Sequence, residues 1–317
     1  MTVAVDAGAA RGVGVPSGRS GPAIRLGGRF RVDERITAAG RLSLWKATDE
    51  VLCRPVAVHL LPRGVPVPPH VVEAVRAAAR VSDARLATIY DTDCSAEDPY
   101  IVSEWARGTH LEDLVLSGLP SPALAAAMVA DAADAIAVAH QAGRPHLCLG
   151  PHSVRWDTAS GLKITGLGID AALSGTDAAD PAAADTMALA RMLYALLTGF
   201  WPGDEPTALP AAPRHKGHVY TPRQVRAGVP GIVDAITCHA MALAPGAGSP
   251  VLTPAGLAMA LHSVLQPSYT LFRPAESPGG APVLARDVIS RRQARHARNS
   301  WVRAGIRHRA TLLRPAA

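Results

Sequence analysis

Cysteine is scarce and scattered in this chain of 317 residues. The four cysteines form no C-x-x-C pair, so the sequence gives no support to a disulfide framework or a zinc ribbon. The first residues lack the charged start and continuous apolar run of a signal peptide, and no stretch of about 18 uninterrupted apolar residues occurs. We therefore expect reduced thiols in a cytoplasmic protein, which a partner can still recruit to the inner face of the membrane.

Acidic residues are nearly absent from the end of the chain. The segment from Arg286 to Arg314 contains nine arginines and one acidic residue, Asp287, and the rest of the chain is close to neutral. Basicity is therefore a property of a tail, so a fold built as a whole to bind nucleic acid is not indicated. The segment 283–306 has two open interpretations: an amphipathic helix for an anionic membrane or an acidic partner, or a solvated end.

The first third of the chain has the patterns of a small sheet. Residues 1–27 are rich in Gly, Ala, Val and Ser and predict a flexible lead-in. Apolar and alternating runs then predict five strands, and an amphipathic pattern predicts a helix over Pro69–Val81. The predicted strands are Phe30–Val32, Leu44–Ala47, Val56–Leu61, Leu86–Tyr90 and Tyr100–Glu104.

The following part of the chain is predicted to be mainly helical. Ser121 and Pro122 are typical of an N-cap followed by proline at the first helical position, and they open a helix that runs to about Gln141. A buried helix is expected over Asp185–Thr198, ended by Gly199. The remaining predicted elements are strands at Ser153–Trp156 and Leu162–Thr165 and helices at Val229–Leu243 and Pro254–Leu265.

Several segments resemble, in order, the landmarks of bacterial, actinobacterial-type serine/threonine protein kinases. They are Val56-Ala57-Val58-His59 for the V-A-I-K strand, Tyr100–Trp105 for the fifth strand and hinge, His146–Ser153 for H-R-D-L-K-P-x-N, Gly166–Ile169 for D-F-G-I, and Asp185–Gly199 for the buried large-lobe helix. The resemblance covers about residues 28–267. It implies an α+β bilobal fold with a small antiparallel-sheet lobe (28–104), a larger helical lobe (105–267), and a Pro/Gly linker with the basic tail (268–317).

The resemblance also implies that the positions that hold nucleotide are degenerate. His59 replaces the lysine that holds the α- and β-phosphates, and we expect it to fill the vacated space and to hydrogen-bond locally. The helix glutamate corresponds to Ala74, and Glu73 points about 100° away, which makes it a poor substitute. The three glycines of the phosphate loop correspond to Thr37, Ala39 and Leu42.

The catalytic and metal-binding positions are degenerate as well. Magnesium requires oxygen ligands, preferably carboxylates, so we expect neither ATP nor magnesium to bind. Asp157 and Asp170 lie nearby in sequence, but the family places them in a turn and beyond the metal loop, and we expect neither to substitute. The catalytic aspartate corresponds to Cys148, the assisting lysine to Gly150, the second magnesium ligand to Ser153 and the main magnesium aspartate to Gly166.

Two parts of the family's scaffold are retained, but the activation segment is not. His146 matches the histidine packed beneath the active site, and Asp185 matches the buried helix aspartate that receives hydrogen bonds from the loop around it. Only residues 171–184 separate the degenerate metal loop from the central helix, with Pro181-Ala182-Ala183 in place of A-P-E. This leaves too little chain for a substrate platform.

The remaining notable side chains favour structural roles. The group His146, Cys148 and His152 lacks a fourth metal ligand at a characteristic spacing, and the segment from His215 to His218 is typical of an exposed loop. The tryptophans are widely spaced, which favours packing anchors over base-stacking platforms: Trp45, Trp105, Trp156 and Trp201. Candidates for contact with a ligand in the cleft are Ala57, His59 and Glu104.

These observations predict a catalytically inactive pseudokinase that acts as a regulatory scaffold or binding module. The resemblance to actinobacterial pseudokinases implies a link to cell-wall synthesis, with a forkhead-associated domain protein or the membrane-embedded flippase of peptidoglycan lipid precursors as partner. Ser174 and Thr176 are candidates for phosphorylation. The alternatives are an atypical serine/threonine kinase or a nucleotide-binding switch that retains ATP, and a tether to membrane or nucleic acid through the tail.

Overall fold

The computed structural model describes residues 24–39, 42–95, 97–243 and 253–270. Within them a strand-rich lobe is followed by a helical lobe, which confirms the bilobal fold that the sequence predicts. Gly40, the predicted lead-in up to residue 23, and the linker and arginine tail beyond residue 270 lie outside the described residues.

A six-stranded antiparallel sheet forms the small lobe. Its strands are β1 (Arg25–Leu26), β2 (Phe30–Ala39), β3 (Leu42–Asp49), β4 (Arg54–Leu60), β5 (Ile89–Asp93) and β6 (Tyr100–Glu104), arranged in the order β1-β2-β3-β4-β6-β5. Successive side chains of a strand point to opposite faces. One face of the sheet therefore gathers the buried cluster that contains Phe30, Trp45, Val56, Val58 and Val102.

Helix α1 (Pro69–Ala78) covers the other face of this sheet. Val71 and Val75, one helical turn apart, are buried and belong with Ile101 of β6 to one apolar cluster. Ile169, from the loop that resembles D-F-G-I, completes this cluster. The helix is therefore held by both lobes, at the edge of the cleft.

Two long apolar helices, α3 (Pro122–Gln141) and α5 (Pro181–Thr198), form the centre of the large lobe. Ser121 caps α3 by accepting a hydrogen bond from the Leu124 amide at 3.2 Å, so the predicted N-cap is confirmed. α3 is long and apolar enough to cross a membrane, but it packs inside the lobe against α5 and the last helix, α8 (Pro254–Thr270).

Shorter elements complete the large lobe. The helices are α2 (Leu111–Ser117), α4 (Asp170–Ser174), α6 (Pro222–Val225) and α7 (Gly231–Ala240). A three-stranded sheet contains β7 (Thr109–His110), β8 (Val154–Asp157) and β9 (Gly161–Ile164). β10 (Arg214–His215) and β11 (His218–Val219) form an exposed hairpin where the sequence suggested a loop.

The sheet begins earlier than predicted. Leu26 is buried and pairs with Phe30, so β1 belongs to the sheet and not to a flexible segment over residues 1–27. Gly27 and Gly28 lie between the two strands, and both have a positive φ. This left-handed backbone permits a turn tight enough to bring β1 back along β2.

Several other boundaries also differ from the prediction. α5 begins at Pro181 and not at Asp185, because Asp180 caps it by accepting a hydrogen bond from the Ala183 amide at 3.0 Å. The residues expected to replace A-P-E are therefore the first turn of this helix. α1 ends at Ala78, α8 continues past residue 267, and Leu86 lies outside β5, where it forms only an isolated bridge with Ile164.

Candidate functional site at the cleft

His59 stands on β4 where the V-A-I-K lysine belongs. Its Nε2 lies 4.0 Å from Oδ1 of Asp170, the first residue of α4, and its side chain is 17% exposed. The buried Nδ1 has no hydrogen-bond partner among the described residues. Burial lowers the pKa of His59, and the negative charge of Asp170 opposes this shift. The prediction that His59 hydrogen-bonds locally is therefore wrong, because both ring nitrogens lie beyond hydrogen-bond distance of a described partner.

The carboxylate of Asp170 occupies the space that a side chain at position 166 would need. A Cβ placed on Gly166 would overlap Oδ2 of Asp170 and lie 2.6 Å from its Cγ. The backbone holds this arrangement, because the Asp170 amide donates to the Gly166 carbonyl at 3.0 Å. Asp170 follows the metal loop in the chain, as expected, but its carboxylate lies against Gly166, where the family's metal aspartate would begin, and faces His59.

Asp157 lies in a turn, as expected, and away from the cleft. Its Oδ1 accepts hydrogen bonds from the amides of Ser160 at 2.8 Å and Ala159 at 2.9 Å, between β8 and β9. These hydrogen bonds lower the pKa of Asp157. The carboxylate is therefore committed to holding the turn.

Asp185 of α5 holds the loop beneath the cleft. Its carboxylate accepts hydrogen bonds from the amides of His146 at 2.7 Å and Leu147 at 2.8 Å, and Nε2 of His140 lies 2.7 Å away. Nε2 of His146 lies 2.9 Å from the Thr165 carbonyl oxygen. Asp185 and His146 are fully buried. These contacts satisfy the Asp185 carboxylate and Nε2 of His146, and they fix the loop's shape, whereas the buried Nδ1 of His146 has no partner among the described residues.

The positions of the catalytic base and the second metal ligand present no carboxylate. Sγ of Cys148 lies 3.6 Å from Oγ of Ser174. Ser153 is buried, and its hydroxyl donates to the Gly150 carbonyl at 2.9 Å and accepts from the Gly150 amide at 3.0 Å. Its oxygen is therefore used inside the loop. Neither position offers a general base or a hard metal ligand to the cleft.

α1 contacts the D-F-G-like loop so closely that only small residues fit. A Cβ placed on Gly168 would lie 2.5 Å from Cβ of Ala78 and 3.1 Å from the Ala74 carbonyl oxygen. Glu73, the acidic residue of α1, is exposed on the outer side of the helix. α1 therefore brings no carboxylate to His59.

The hairpin at the phosphate-loop position continues as paired strands after a register shift between Arg35 and Thr37. Thr37 pairs with Leu44, and Ala39 pairs with Leu42, so the β2–β3 ladder continues up to the described limits of both strands. The backbone here belongs to a strand ladder, and the three mapped positions are not glycine. A loop that wraps phosphate groups instead needs free backbone amides and glycine residues.

The two other cleft candidates have different surroundings. Ala57 is buried and stands two residues before His59, on the same face of β4. Glu104 forms an ion pair with Lys163 at 2.8 Å and accepts a hydrogen bond from the Thr88 amide at 3.3 Å. Glu104 therefore links the end of β6 to β9, and its contact with a ligand stays a prediction.

Sequence analysis missed an aromatic contact at the hinge. The Trp105 ring lies 5.4 Å from Nζ of Lys46 and 5.6 Å from Cζ of Arg155, measured from its centroid. Arg155 also donates to the Gly108 carbonyl at 2.9 Å, and its Nη2 lies 2.7 Å from Nε2 of His110. Trp105 is thus held by a cation from each lobe. No local pattern could have indicated this, because the cations come from β3 and β8.

The shortened activation segment is a single helical turn and a short connection. Only residues 175–180 separate α4 from α5. Ser174 and Thr176 are exposed, and their hydroxyl oxygens lie 2.7 Å apart. Across the described part of the chain, no three His, Cys, Asp or Glu side chains come together as metal ligands.

The chain is similar in sequence to bacterial serine/threonine protein kinases. It is 27% identical over 248 residues to PrkC of Bacillus subtilis, a match that covers 70% of this chain and 38% of PrkC. It is 26% identical over 248 residues to PknL of Mycobacterium tuberculosis, which covers 69% of this chain and 62% of PknL. The chain therefore spans less than two thirds of the length of these curated relatives. No protein-family model matches it.

The fold of the chain is also similar to that of solved bacterial kinase domains. The kinase domain of Mycobacterium tuberculosis PknI aligns with 77% of this chain and 99% of that domain, with a TM-score of 0.57 and 17% sequence identity. Sequence and fold agree: the chain is a protein-kinase-like relative of the bacterial serine/threonine protein kinases.

Proposed function

We propose that this chain is a pseudokinase, which transfers no phosphate and acts as a regulatory scaffold. The facing pair of His59 and Asp170 is the observation that supports this best. Where the family has a permanently charged lysine, the chain has a buried imidazole with a lowered pKa. The metal aspartate is replaced by Gly166, and the carboxylate that fills its space belongs to the next helix.

The number of simultaneous losses also supports this proposal. General acid–base catalysis contributes about 10² to 10⁴ in rate, and removal of one preorganised stabilising group costs about 10² to 10³. This cleft has lost the base at Cys148 and the two metal ligands at Ser153 and Gly166, in addition to the lysine. The scaffold contacts of His146 and Asp185 remain, so the same chain keeps its fold.

One observation favours a second candidate function, a nucleotide-binding switch. Asp170 returns a carboxylate to the cleft, next to the position of the family's metal aspartate. An ion that arrives with ATP requires oxygen ligands, and Asp170 offers one. In this alternative the chain binds magnesium and ATP but still lacks the base needed for transfer.

Thermal denaturation of the full chain with ATP, with and without magnesium, separates the two functions. A ligand that binds only the folded state stabilises it by about 2.7 kcal/mol at a hundred times its Kd. The scaffold predicts an unchanged midpoint. The switch predicts a magnesium-dependent rise that Asp170→Asn removes, whereas Asp157→Asn, the matched change in the β8–β9 turn, leaves it in place.

The partner that we propose for the scaffold is a protein. The family resemblance favours a forkhead-associated domain protein or the membrane-embedded flippase of cell-wall lipid precursors, with the arginine tail touching the inner face of the membrane. Calorimetric titration of the phosphorylated full chain with a purified forkhead-associated domain tests the first partner. Binding heat that appears only with the phosphorylated chain supports this partner. A titration without binding heat excludes it.

A further inference from the structure

Three arginines line a groove beside the cleft, on the outer side of α1. Arg76 lies in the last turn of α1, Arg80 follows one turn later, and Arg144 faces them from the connection after α3. The groove has a volume of 620 Å³, and Val67, Val72 and Ala77 are among its apolar lining. We call this surface the arginine groove.

None of these three arginines forms an ion pair with a described residue. The other arginines described between residues 24 and 95 behave differently, because each has a carboxylate partner except Arg35, which lies over Trp45. The paired arginines are Arg25, Arg29, Arg31, Arg54, Arg63 and Arg85. Three guanidinium groups thus share one groove with a single carboxylate, that of Glu73.

Such an arrangement is unfavourable without an anion. Arg76 lies in the last turn of α1 and Arg80 lies two residues beyond its end, and like charges that line the same groove repel each other. The ends of α1 and α3 stabilise cations to some extent through their dipoles. Both helix ends, however, add guanidinium groups to the same concave surface, where a bound anion would relieve the repulsion.

A second groove adjoins the first at Arg144, and alanine and glycine make up half of its lining, which also contains the carboxylate of Asp177. Its volume is 340 Å³, and its lining includes Ala74, Gly168, Ala171 and Gly175. Short side chains leave room for an extended polypeptide backbone to approach α1 and α4 closely. Arg144 belongs to both linings, so a peptide lying in the second groove would meet the arginine groove at one end.

We propose that the arginine groove docks an acidic peptide segment of a partner protein. This inference deepens the scaffold proposal and rests on it. Planar guanidinium forks match carboxylate groups, so Arg76, Arg80 and Arg144 supply the charge complementarity. The chain's own tail is not the occupant, because its nine arginines between Arg286 and Arg314 carry the same sign.

Fluorescence anisotropy of a labelled glutamate-rich peptide with the full chain tests this proposal. The groove variant is Arg76→Gln with Arg80→Gln and Arg144→Gln. The control variant makes the same change in net charge at exposed arginines elsewhere, with Arg35→Gln, Arg107→Gln and Arg223→Gln. Both variants retain the basic tail. Matched thermal midpoints show that both are folded.

The groove variant is expected to bind the peptide about tenfold or more weakly, and the control variant within about twofold of the unmodified chain. Equal losses in the two variants would show attraction to general positive charge and overturn the proposal. The proposal is also overturned if the unmodified chain does not bind the peptide. Binding to phosphatidylserine vesicles without binding to the peptide counts as this outcome. Nucleotide is absent, so this result is independent of the ATP measurements.

Discussion

At the scale of single residues, the glycine at position 166 and the position of Asp170 belong together. The Asp170 carboxylate lies where a side chain at position 166 would be. Matching the sequence to kinase motifs identified the empty positions, including His59, Cys148 and Gly166. It did not show that Asp170 fills the space beside Gly166, because that direction is set by the backbone of α4. From the sequence, Asp170 is expected to lie past the metal loop and not to substitute for the missing aspartate.

Restoring the family's residue with Gly166→Asp is therefore expected to destabilise the protein. The new Cβ would overlap the Asp170 carboxylate, and a non-glycine residue would have to adopt a φ of +87°. We expect the free energy of unfolding to fall by about 2 kcal/mol or more, measured by urea denaturation. Asp170→Ala in the same chain should recover part of this loss.

Gly161→Asp is the matched control for this substitution. Gly161 has a φ of +81°, and a Cβ placed there would meet no atom within 4 Å. Only the backbone cost applies at this position. Equal destabilisation by Gly161→Asp and Gly166→Asp would contradict the claim that Asp170 occupies the space beside Gly166.

The lowered pKa of His59 predicts a loss of stability in mild acid. The unfolded chain binds a proton at this residue near pH 6.5, whereas burial delays that protonation in the folded state to lower pH. The unfolded state then holds more protons, so the free energy of unfolding falls as the pH drops below about 6.5. His59→Gln should reduce this slope, measured by chemical denaturation across the range.

His70→Gln provides the comparison, because His70 is an exposed histidine at the start of α1. The slope should be unchanged in this variant. If His59→Gln and the unmodified chain lose stability in parallel as the pH falls, the burial of a neutral His59 is not the cause.

At the scale of elements, long periodic segments were predictable and short ones were not. The bounds of α3 and of β6 match the prediction, because a serine cap followed by proline opens α3 and the run Tyr100-Ile101-Val102 opens β6. β1 was missed, because two residues are too few for a pattern and its pairing depends on the turn at Gly27 and Gly28. The start of α5 was missed because the alanines after Pro181 carry little periodic signal.

The contact between α5 and the loop at His146 gives a prediction at this scale. Asp185→Ala would leave the amides of buried His146 and half-buried Leu147 without this acceptor, so we expect the free energy of unfolding to fall by about 3 kcal/mol or more. Asp180→Ala removes only the N-cap of the same helix and should cost about 1 kcal/mol. Urea denaturation of both variants measures the difference. Similar losses would show that Asp185 is not the main link to the loop.

At the scale of the whole molecule, the bilobal fold was predictable because order and spacing of many segments agree with one architecture. The surroundings of the cleft were not predictable from spacing alone. Glu104 joins Lys163, and Trp105 lies between Lys46 and Arg155, through contacts between strands far apart in sequence. Such pairs arise only when the lobes assemble, so a single sequence carries no local sign of them.

Phosphate transfer from radiolabelled ATP tests the central claim most directly. The purified full chain is incubated with ATP and magnesium or manganese, alone and with a general acceptor protein, next to the Asp170→Asn variant. Our account predicts no incorporation by either chain, because the cleft lacks a base, two metal carboxylates and the family's lysine. Incorporation by the unmodified chain that Asp170→Asn abolishes would contradict it.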